Sequence, residues 1–491
     1  MIPFDYKLLL VRFLPESILV LGALVALFLD QARANAWADQ RRSGVAAFIG
    51  VITAVLSILA IAAQDDFGTF YNGMLQIDPF TRVVKISLLV LTAATLLIGS
   101  PARFTSHIGE YVALILLAAV GLLLLASVAE LLTAFIALEL TSLSLYLLTA
   151  FNKHSIVSAE AALKYFLFGS VAAAFTLFGI SLVFGLAGST SFEPIAASLR
   201  EQSNPLLMAG LVLTAIGFAF KMAAAPLHLW APDAYQGAPV PSAALIASGS
   251  KLASFVLFLK FFVVAVPGQM GSAGWANAIP GWAIVLAAIA ACSIIVGNLL
   301  AIAQSNLRRL IAYSAIAHAG YVLVAVLANS QNGAISSVYY LVTYGLTVIG
   351  IFGVIGALES RHGELTLLEL AGLSRRAPLL ALCLFIFILS LAGIPPLAGF
   401  FGKFYVFIAA LERSPTGDAP ALLWLVVLAI AGSAVSLYYY LQVLKHAFVI
   451  ETESSTPILA TGLQKLTLAL LAAAVVLLGC FPNAILRHFQ P

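Results

Sequence analysis

The sequence predicts an all-α protein that threads a membrane about fourteen times, and three observations predict it. Of 491 residues, 62% are hydrophobic and only 9% charged, with a mean hydropathy of +1.07. That leaves too little polar surface for a water-soluble globule. Apolar runs of about 20 residues, long enough to cross roughly 30 Å of hydrocarbon, recur along the whole chain. The polar gaps between them are short, the longest lying around 187–205 and 267–280, so no soluble domain is visible. The net charge of +3 is spread over many loops and gives no electrostatic reason for a nucleic-acid partner. Cys292, Cys383 and Cys480 stand far apart inside apolar runs, which excludes a CxxC pair, an iron–sulfur spacing and a disulfide framework.

In chain order, an N-terminal unit over 1–108 holds three spans near 14–30, 44–63 and 81–100. The first resembles a signal peptide in length, yet Asp5, Glu16 and Asp30 flank it and no small-residue cleavage site precedes the next span. Spans 4–8, near 109–128, 130–150, 160–186, 206–231 and 242–266, form one set of five over 109–266. Spans 9–13, near 281–304, 310–328, 334–358, 378–408 and 421–447, form a second set over 281–447. Span 14, near 463–483, ends the single membrane domain in a C-terminal piece over 463–491. In each set the fourth member carries the breaking prolines: Pro226 in span 7, and Pro395 and Pro396 of "GIPPLAGFFGKF" in span 12. Five is odd, so a duplicated unit inserts its second copy upside down, the plan of many transporters built from inverted repeats. Non-helical backbone is tolerated at that depth only where protein or water satisfies it, so matching breaks mark a polar path. Two ordinary proline kinks are the plainer alternative.

Basic residues set the orientation. The loops after odd-numbered spans hold Arg33, Arg41, Arg42, Arg103, Lys153, Arg308, Arg309, Arg361, Arg375 and Arg376, whereas the even loops offer little beyond Arg200 and Arg413. Odd loops are therefore expected in the cytoplasm and both chain ends on the opposite side, where the acidic stretch "QDDF" at 64–67 also falls.

Charges inside the spans carry the functional signal. Glu139 lies near the middle of span 5, Lys221 a little past the middle of span 7, Lys251 near the middle of span 8 and Lys403 in the second half of span 12. Each charge at the bilayer centre costs about 2.5–3.5 kcal/mol even on the lenient insertion scale, so four together need a function. Lys164, near the start of span 6, is a candidate partner for Glu139, because the short loop at 151–159 makes spans 5 and 6 antiparallel neighbours. The same pair also reads as helix glue. Three central lysines against one central carboxylate leave positive charge in excess, and pairing does not account for it. Removal from water disfavours a charged amine, and an approaching carboxylate favours it again, so such a lysine is a switchable proton carrier. Each tenfold change in proton affinity is worth about 1.4 kcal/mol, comparable with the ~2.3 kcal/mol for moving one charge across 100 mV.

Secondary candidates follow. His318 in "SAIAHAGYVL" lies mid-span in span 10, the repeat counterpart of the Glu139 helix; it suits a relay near neutral pH or simply packs helices. His228, two turns below Lys221, either passes protons onward or caps carbonyls freed by the break. Asp233, beside Pro232, reads as a helix-start cap more than a carrier, and Glu130 as interfacial. Thr214, Ser248, Ser250, Ser314, Thr343 and Thr347 hold waters between the charges or bond to helix backbone. "GFFGKF" at 399–404 fails as a phosphate loop, since Leu397 stands where GxxxxGK needs glycine and Phe404 where magnesium needs Ser or Thr. With no dinucleotide fingerprint, metal cluster or nucleophile elbow, the chain is expected to carry no cofactor and no metal. Span interiors free of arginine argue against a voltage sensor.

The run "FKMAAAPLHLWAPDAYQGAPVPSAALIASGSK", Phe220 to Lys251, is similar to the signature of the proton-translocating antiporter-like family, which supplies membrane subunits to respiratory complex I and to Mrp-type sodium/proton antiporters. That signature runs through Lys221, Pro226, Leu227, His228, Trp230, Pro232, Asp233, Ala234, Ala238, Pro239, Pro241, Ser242 and Lys251. "ALELTSLSLYLL" around Glu139 and "LKYFLFGS" around Lys164 resemble the family's glutamate–lysine pair, and "IPPLAGFFGKF" its second broken helix. The resemblance covers nearly the whole chain. It implies proton translocation through Glu139, Lys164, Lys221, Lys251 and Lys403, with His228 and His318 as possible relays. FMN, iron–sulfur clusters and quinone would then sit on partner subunits of a peripheral redox arm. Subunits of the M and K types would be neighbours, with L, A, J and H types in the same arm, all in a bacterial inner membrane among its lipids. Of the complex I members, the largest adds a lateral helix after the core and the middle one places a glutamate at the position of Lys403; this chain resembles neither in those respects. The amphipathic "LTLLELAGLSRR" at 365–376 would lie on the cytoplasmic surface. Three functions stay open: a pumping subunit of a redox complex, a sodium/proton antiporter subunit without redox partners, and a solute carrier on the same repeats. The last requires a roomy central site, whereas the central groups here are lone lysines on successive helices.

Overall fold

The computed structural model describes residues 11–34, 36–64, 67–71, 73–99, 104–200, 204–275, 278–362 (backbone alone at 360–362), 365–412, 421–451, 458 and 460–489. Asp5, the Asp65–Asp66 pair, Arg103, Arg413, the side chains of Arg361 and His362, and both extreme chain ends lie outside the described residues.

Among the described residues, twelve unbroken helices are long and apolar enough to cross a membrane. In the first part of the chain they are Leu14–Arg33, Asp39–Ala62, Pro79–Leu97, Ile108–Ser127, Leu131–Thr149, Ile156–Ala187 and Val240–Ala265. The rest are Trp282–Ile302, Leu307–Leu327, Gln331–Glu359, Leu423–Phe448 and Gly462–Cys480. Two broken spans complete the expected fourteen. Span 7 is Pro205–Lys221, a non-helical stretch and the short helix Trp230–Gly237; span 12 is Pro378–Ala392 followed by Ala398–Leu411. Each five-span set thus has its break at its fourth member.

Local chemistry fixes the starts. Asp78 accepts a bond from the Thr81 N–H ahead of span 3, with Pro79 at the first position, where no N–H is needed. Glu130 caps span 5, Ser155 caps span 6 and Asn306 caps span 10. Thr461 and Gln464 close a capping box on span 14. Glu130 is therefore a helix cap, more specific than an interfacial charge.

Spans 8 and 11 are wholly enclosed and span 10 nearly so, whereas spans 1, 2 and 6 keep most of their surface outward. The charged mid-span residues other than Glu139 and Lys221 therefore stand on or against the innermost helices. Loops sew the two faces. On the even-loop face, the hairpin Gly68–Phe70/Leu75–Ile77 reaches Val128 through Leu75, and Glu130 pairs with Ser191. On the odd-loop face, the Leu307 N–H donates to the Leu365 carbonyl and the Leu367 N–H to the Ser305 carbonyl. The stretch 365–376 is two short turns, Leu367–Leu370 and Leu373–Arg376, divided by Gly372 at φ +67°.

Candidate functional site: a row of enclosed amines

Lys221 is the last residue of its helix, at the break itself and later in the span than the sequence suggests. The break costs backbone hydrogen bonds, and neighbours supply replacements. The Ala225 N–H donates to Ser293 Oγ of span 9 at 2.8 Å, and Trp230 Nε1 donates back to the Phe220 carbonyl at 3.0 Å. Lys221 Nζ donates to the Tyr146 hydroxyl at 3.2 Å. It also stands over the rings of Tyr146, Phe220 and Tyr165 at 5.1, 5.3 and 5.7 Å, where aromatic faces favour a cation. Gly169 of span 6 makes this possible, because a Cβ there would occupy the space of the Tyr146 hydroxyl. Glu139 is within electrostatic reach of both Lys221 and Tyr146.

The second group is more deeply enclosed. Lys251 Nζ donates to the Ala315 carbonyl of span 10 and lies 5.4 Å from the Tyr344 ring. Lys403 Nζ donates to the Leu391 and Ala392 carbonyls at 2.9 and 3.2 Å and to Ser433 Oγ at 2.8 Å. Those two carbonyls end the first half of broken span 12, so the amine itself satisfies acceptors that the break frees and sits at the negative end of a helix dipole. Between the two lysines stands His318, with Nδ1 2.7 Å from the Tyr340 hydroxyl and Nε2 3.0 Å from the Tyr440 hydroxyl. Ser314 extends the chain through Tyr440. His318 feels the charges of both Lys403 and Lys251. Its ring lies 5.0 Å from Tyr344 and 5.6 Å from Tyr321, the rings that Lys251 and Lys403 stand over, a place that fits a relay as well as it fits packing.

His228 is buried against Tyr313 of span 10, and its Nδ1 has no hydrogen-bond partner among the described residues. Of the polar residues expected to hold water, Thr214, Ser248, Thr343 and Thr347 bond to carbonyls of their own helices, and Ser314 joins His318 through Tyr440.

One expectation is corrected. Lys164 does not pair with Glu139: it forms ion pairs with Glu160 at 2.6 Å and with Asp233 at 2.9 Å, near the odd-loop face. Among the described residues Glu139 has no ion pair within 4 Å. The physical reason is depth, since Lys164 lies two turns into span 6 and its flexible stem reaches the more polar end of the bundle, where solvation costs less. Asp233 in turn holds Arg309 at 2.6 Å, so it is a clamp between the two sets rather than a helix cap. Beside it Arg308 grips Glu359 and donates to the Gln236 and Ala238 carbonyls at 3.0 and 2.6 Å, closing the C-terminus of the short helix Trp230–Gly237.

Sequence reasoning missed the tyrosines and two buried charges nearer the span ends, Lys85 and Lys260, and read Glu16, which is also buried, only as a flank of the first span. Mid-span "YY" at 339–340 and "YYY" at 438–440 were the available signal, because a hydroxyl in hydrocarbon needs a partner. Two π-helical turns, Ile246–Ser250 and Lys260–Ala265, bracket the α-helical stretch that Lys251 begins, and no residue pattern announced them.

Over residues 128–431 the sequence matches the family described as NADH:quinone oxidoreductase/Mrp antiporter, TM. It is 47% identical, over 500 residues, to NADH-quinone oxidoreductase subunit N 2 of Acidobacterium capsulatum, covering 99% of this chain and 100% of that one. It is similar in fold to a chain of respiratory complex I from Thermus thermophilus with bound aureothin, at 32% identity and a TM-score of 0.77, covering 96% of this chain and 98% of that one. A chain of the Mrp complex from a Dietzia species shares the fold with a TM-score of 0.79 over 96% of each chain; at 20% identity that likeness concerns the fold alone.

Proposed function

The chain belongs to the NADH:quinone oxidoreductase/Mrp antiporter transmembrane family, and from that premise we propose that it is the N-type membrane subunit of a bacterial NADH-quinone oxidoreductase. It moves protons across the membrane while electrons pass from NADH to quinone on other subunits. The observation that carries this reading is the row Lys221, Lys251 and Lys403: among the described residues none has a carboxylate within 4 Å, and each is held by oxygen atoms and aromatic faces. An amine so held releases its proton when a like charge approaches and takes one up when Glu139 or water draws near. Glu139 biases Lys221 at one end; at the other, His318 packs against Tyr344 and Tyr321, the rings that Lys251 and Lys403 stand over.

Odd loops face the cytoplasm and even loops the outer side of the inner membrane, by the placing of Arg33, Arg41, Arg42, Lys153, Arg308, Arg309, Arg375 and Arg376. FMN, iron–sulfur clusters and quinone belong to partner subunits; the M and K types lie beside this chain, and the L, A, J and H types complete the arm. The Mrp-type reading uses the same amines, and copurification separates the two: flavin- and iron–sulfur-containing partners support the redox complex, small hydrophobic partners alone the antiporter. Lys221→Ala and Glu139→Ala are expected to depress NADH-driven pumping in the assembled enzyme. An undiminished proton-to-electron ratio in both, with assembly intact, would remove these residues as carriers.

A further inference from the structure

One group of buried charges stands apart from the central row. Glu16, Lys85 and Lys260 gather at the even-loop end, on spans 1, 3 and 8, and each is at most 7% exposed. Lys85 Nζ donates to Glu16 Oε1 at 2.8 Å, while Glu16 Oε2 is buried with no partner among the described residues. Lys260 opens a π-helical turn and donates to the Ala126 carbonyl at 2.7 Å, the Val128 carbonyl at 3.3 Å and the Thr81 hydroxyl at 3.4 Å. Thr81 lies one turn before Lys85 on span 3, and its N–H donates to Asp78 Oδ1 at 2.6 Å. Asp78, half-buried at the head of that helix, and Lys85 are the charged groups whose fields reach Lys260. Val128 also pairs with Leu75 of the surface hairpin, so the cluster lies directly beneath a loop.

One ion pair is enough to fasten span 1 to span 3. A second buried amine and a carboxylate oxygen without a donor exceed that need, and buried charges beyond structural need mark ion pathways. Lys260 follows Lys251 by nine residues on the same span, roughly 13 Å at the helical rise, with Ser254 the polar side chain between them.

We propose that this cluster is a site from which protons leave the chain on the outer side. The inference rests on the proton-pumping reading and the orientation given above. Lys260 holds the departing proton and Lys85 supplies the like charge that expels it. The proton passes from the Lys260 ammonium to the Asp78 carboxylate and on to bulk water, leaving a neutral amine and a carboxylate restored to its anionic form. Glu16 sets the balance: a proton on its open Oε2 removes the counter-charge from Lys85 and strengthens the expulsion of the next proton from Lys260.

The test measures NADH-driven pumping and electron transfer together in vesicles containing the assembled enzyme. Lys260→Gln keeps an N–H donor for the Ala126 and Val128 carbonyls but carries no proton; Glu16→Gln/Lys85→Gln removes the pair while keeping a hydrogen bond. Both are expected to lower the proton-to-electron ratio to the level of Lys221→Ala and to steepen the slowing of pumping when the outer side is acidified, because protonation of Glu16 no longer aids expulsion. A full ratio with unchanged dependence on outer pH in both variants, beside an impaired Lys221→Ala, overturns the release site alone. If Lys260→Gln does not assemble, the double variant decides by the same readings. A full ratio in Lys221→Ala and Glu139→Ala overturns the underlying reading instead.

Discussion

Two residues show how little stands between a carrier and a structural group. Tyr146 holds Lys221 only because Gly169 leaves room for its hydroxyl. Gly169→Ala should displace that hydroxyl and Tyr146→Phe should remove it, and both should reduce pumping with NADH oxidation by artificial acceptors unchanged; pumping at the normal ratio in both would show the contact to be incidental. Asp233 serves the opposite purpose, fixing Lys164 and Arg309 at once. Asp233→Asn should cost about 1.5–3 kcal/mol of stability, the range for a lost charge-assisted bond. Thermal melting of the purified complex measures it, and an unchanged melting temperature would contradict the assignment.

At the scale of an element, the broken spans obey one rule: backbone groups freed by the break are bonded to something other than their own helix. In span 7 the partners are Ser293 and Trp230, and in span 12 they include Lys403, a proposed carrier. Cations recur at helix C-termini, with Lys403 on the first half of span 12, Lys260 on span 4 and Arg308 on Trp230–Gly237. There the exposed carbonyls and the dipole replace a carboxylate. Ser293→Ala leaves the Ala225 N–H buried without its acceptor and should destabilise the break by about 1–3 kcal/mol. Faster amide exchange at Ala225, with exchange in span 14 unaffected, is the expected signature.

For the whole molecule, Arg308, through the Gln236 and Ala238 carbonyls, and Arg309, through Asp233, tie the second five-span set to the half-helix that follows Lys221 in the first. Movement of one set is thereby felt at the break beside Lys221 in the other. Arg308→Met takes the guanidinium from the partly buried Glu359 and from two helix-end carbonyls, a loss on the order of 3–5 kcal/mol. The variant should melt at lower temperature than the parent complex, and Arg308→Met/Glu359→Met should recover part of the difference; no recovery would place the whole effect on the carbonyls.

The sequence by itself determined the membrane class, the fourteen spans, the place of both breaks and the central amines, because hydrocarbon imposes a length on apolar runs and a penalty on every charge within them. Only the tertiary structure decided who meets whom. Lys164 turned to Asp233 and not Glu139, tyrosines came to line His318, and Glu16 met Lys85 from 69 residues away. Partner choice depends on helix rotation, on π-helical turns and on the reach of flexible side chains, and apolar helices whose faces look alike in composition leave those unspecified in the chain.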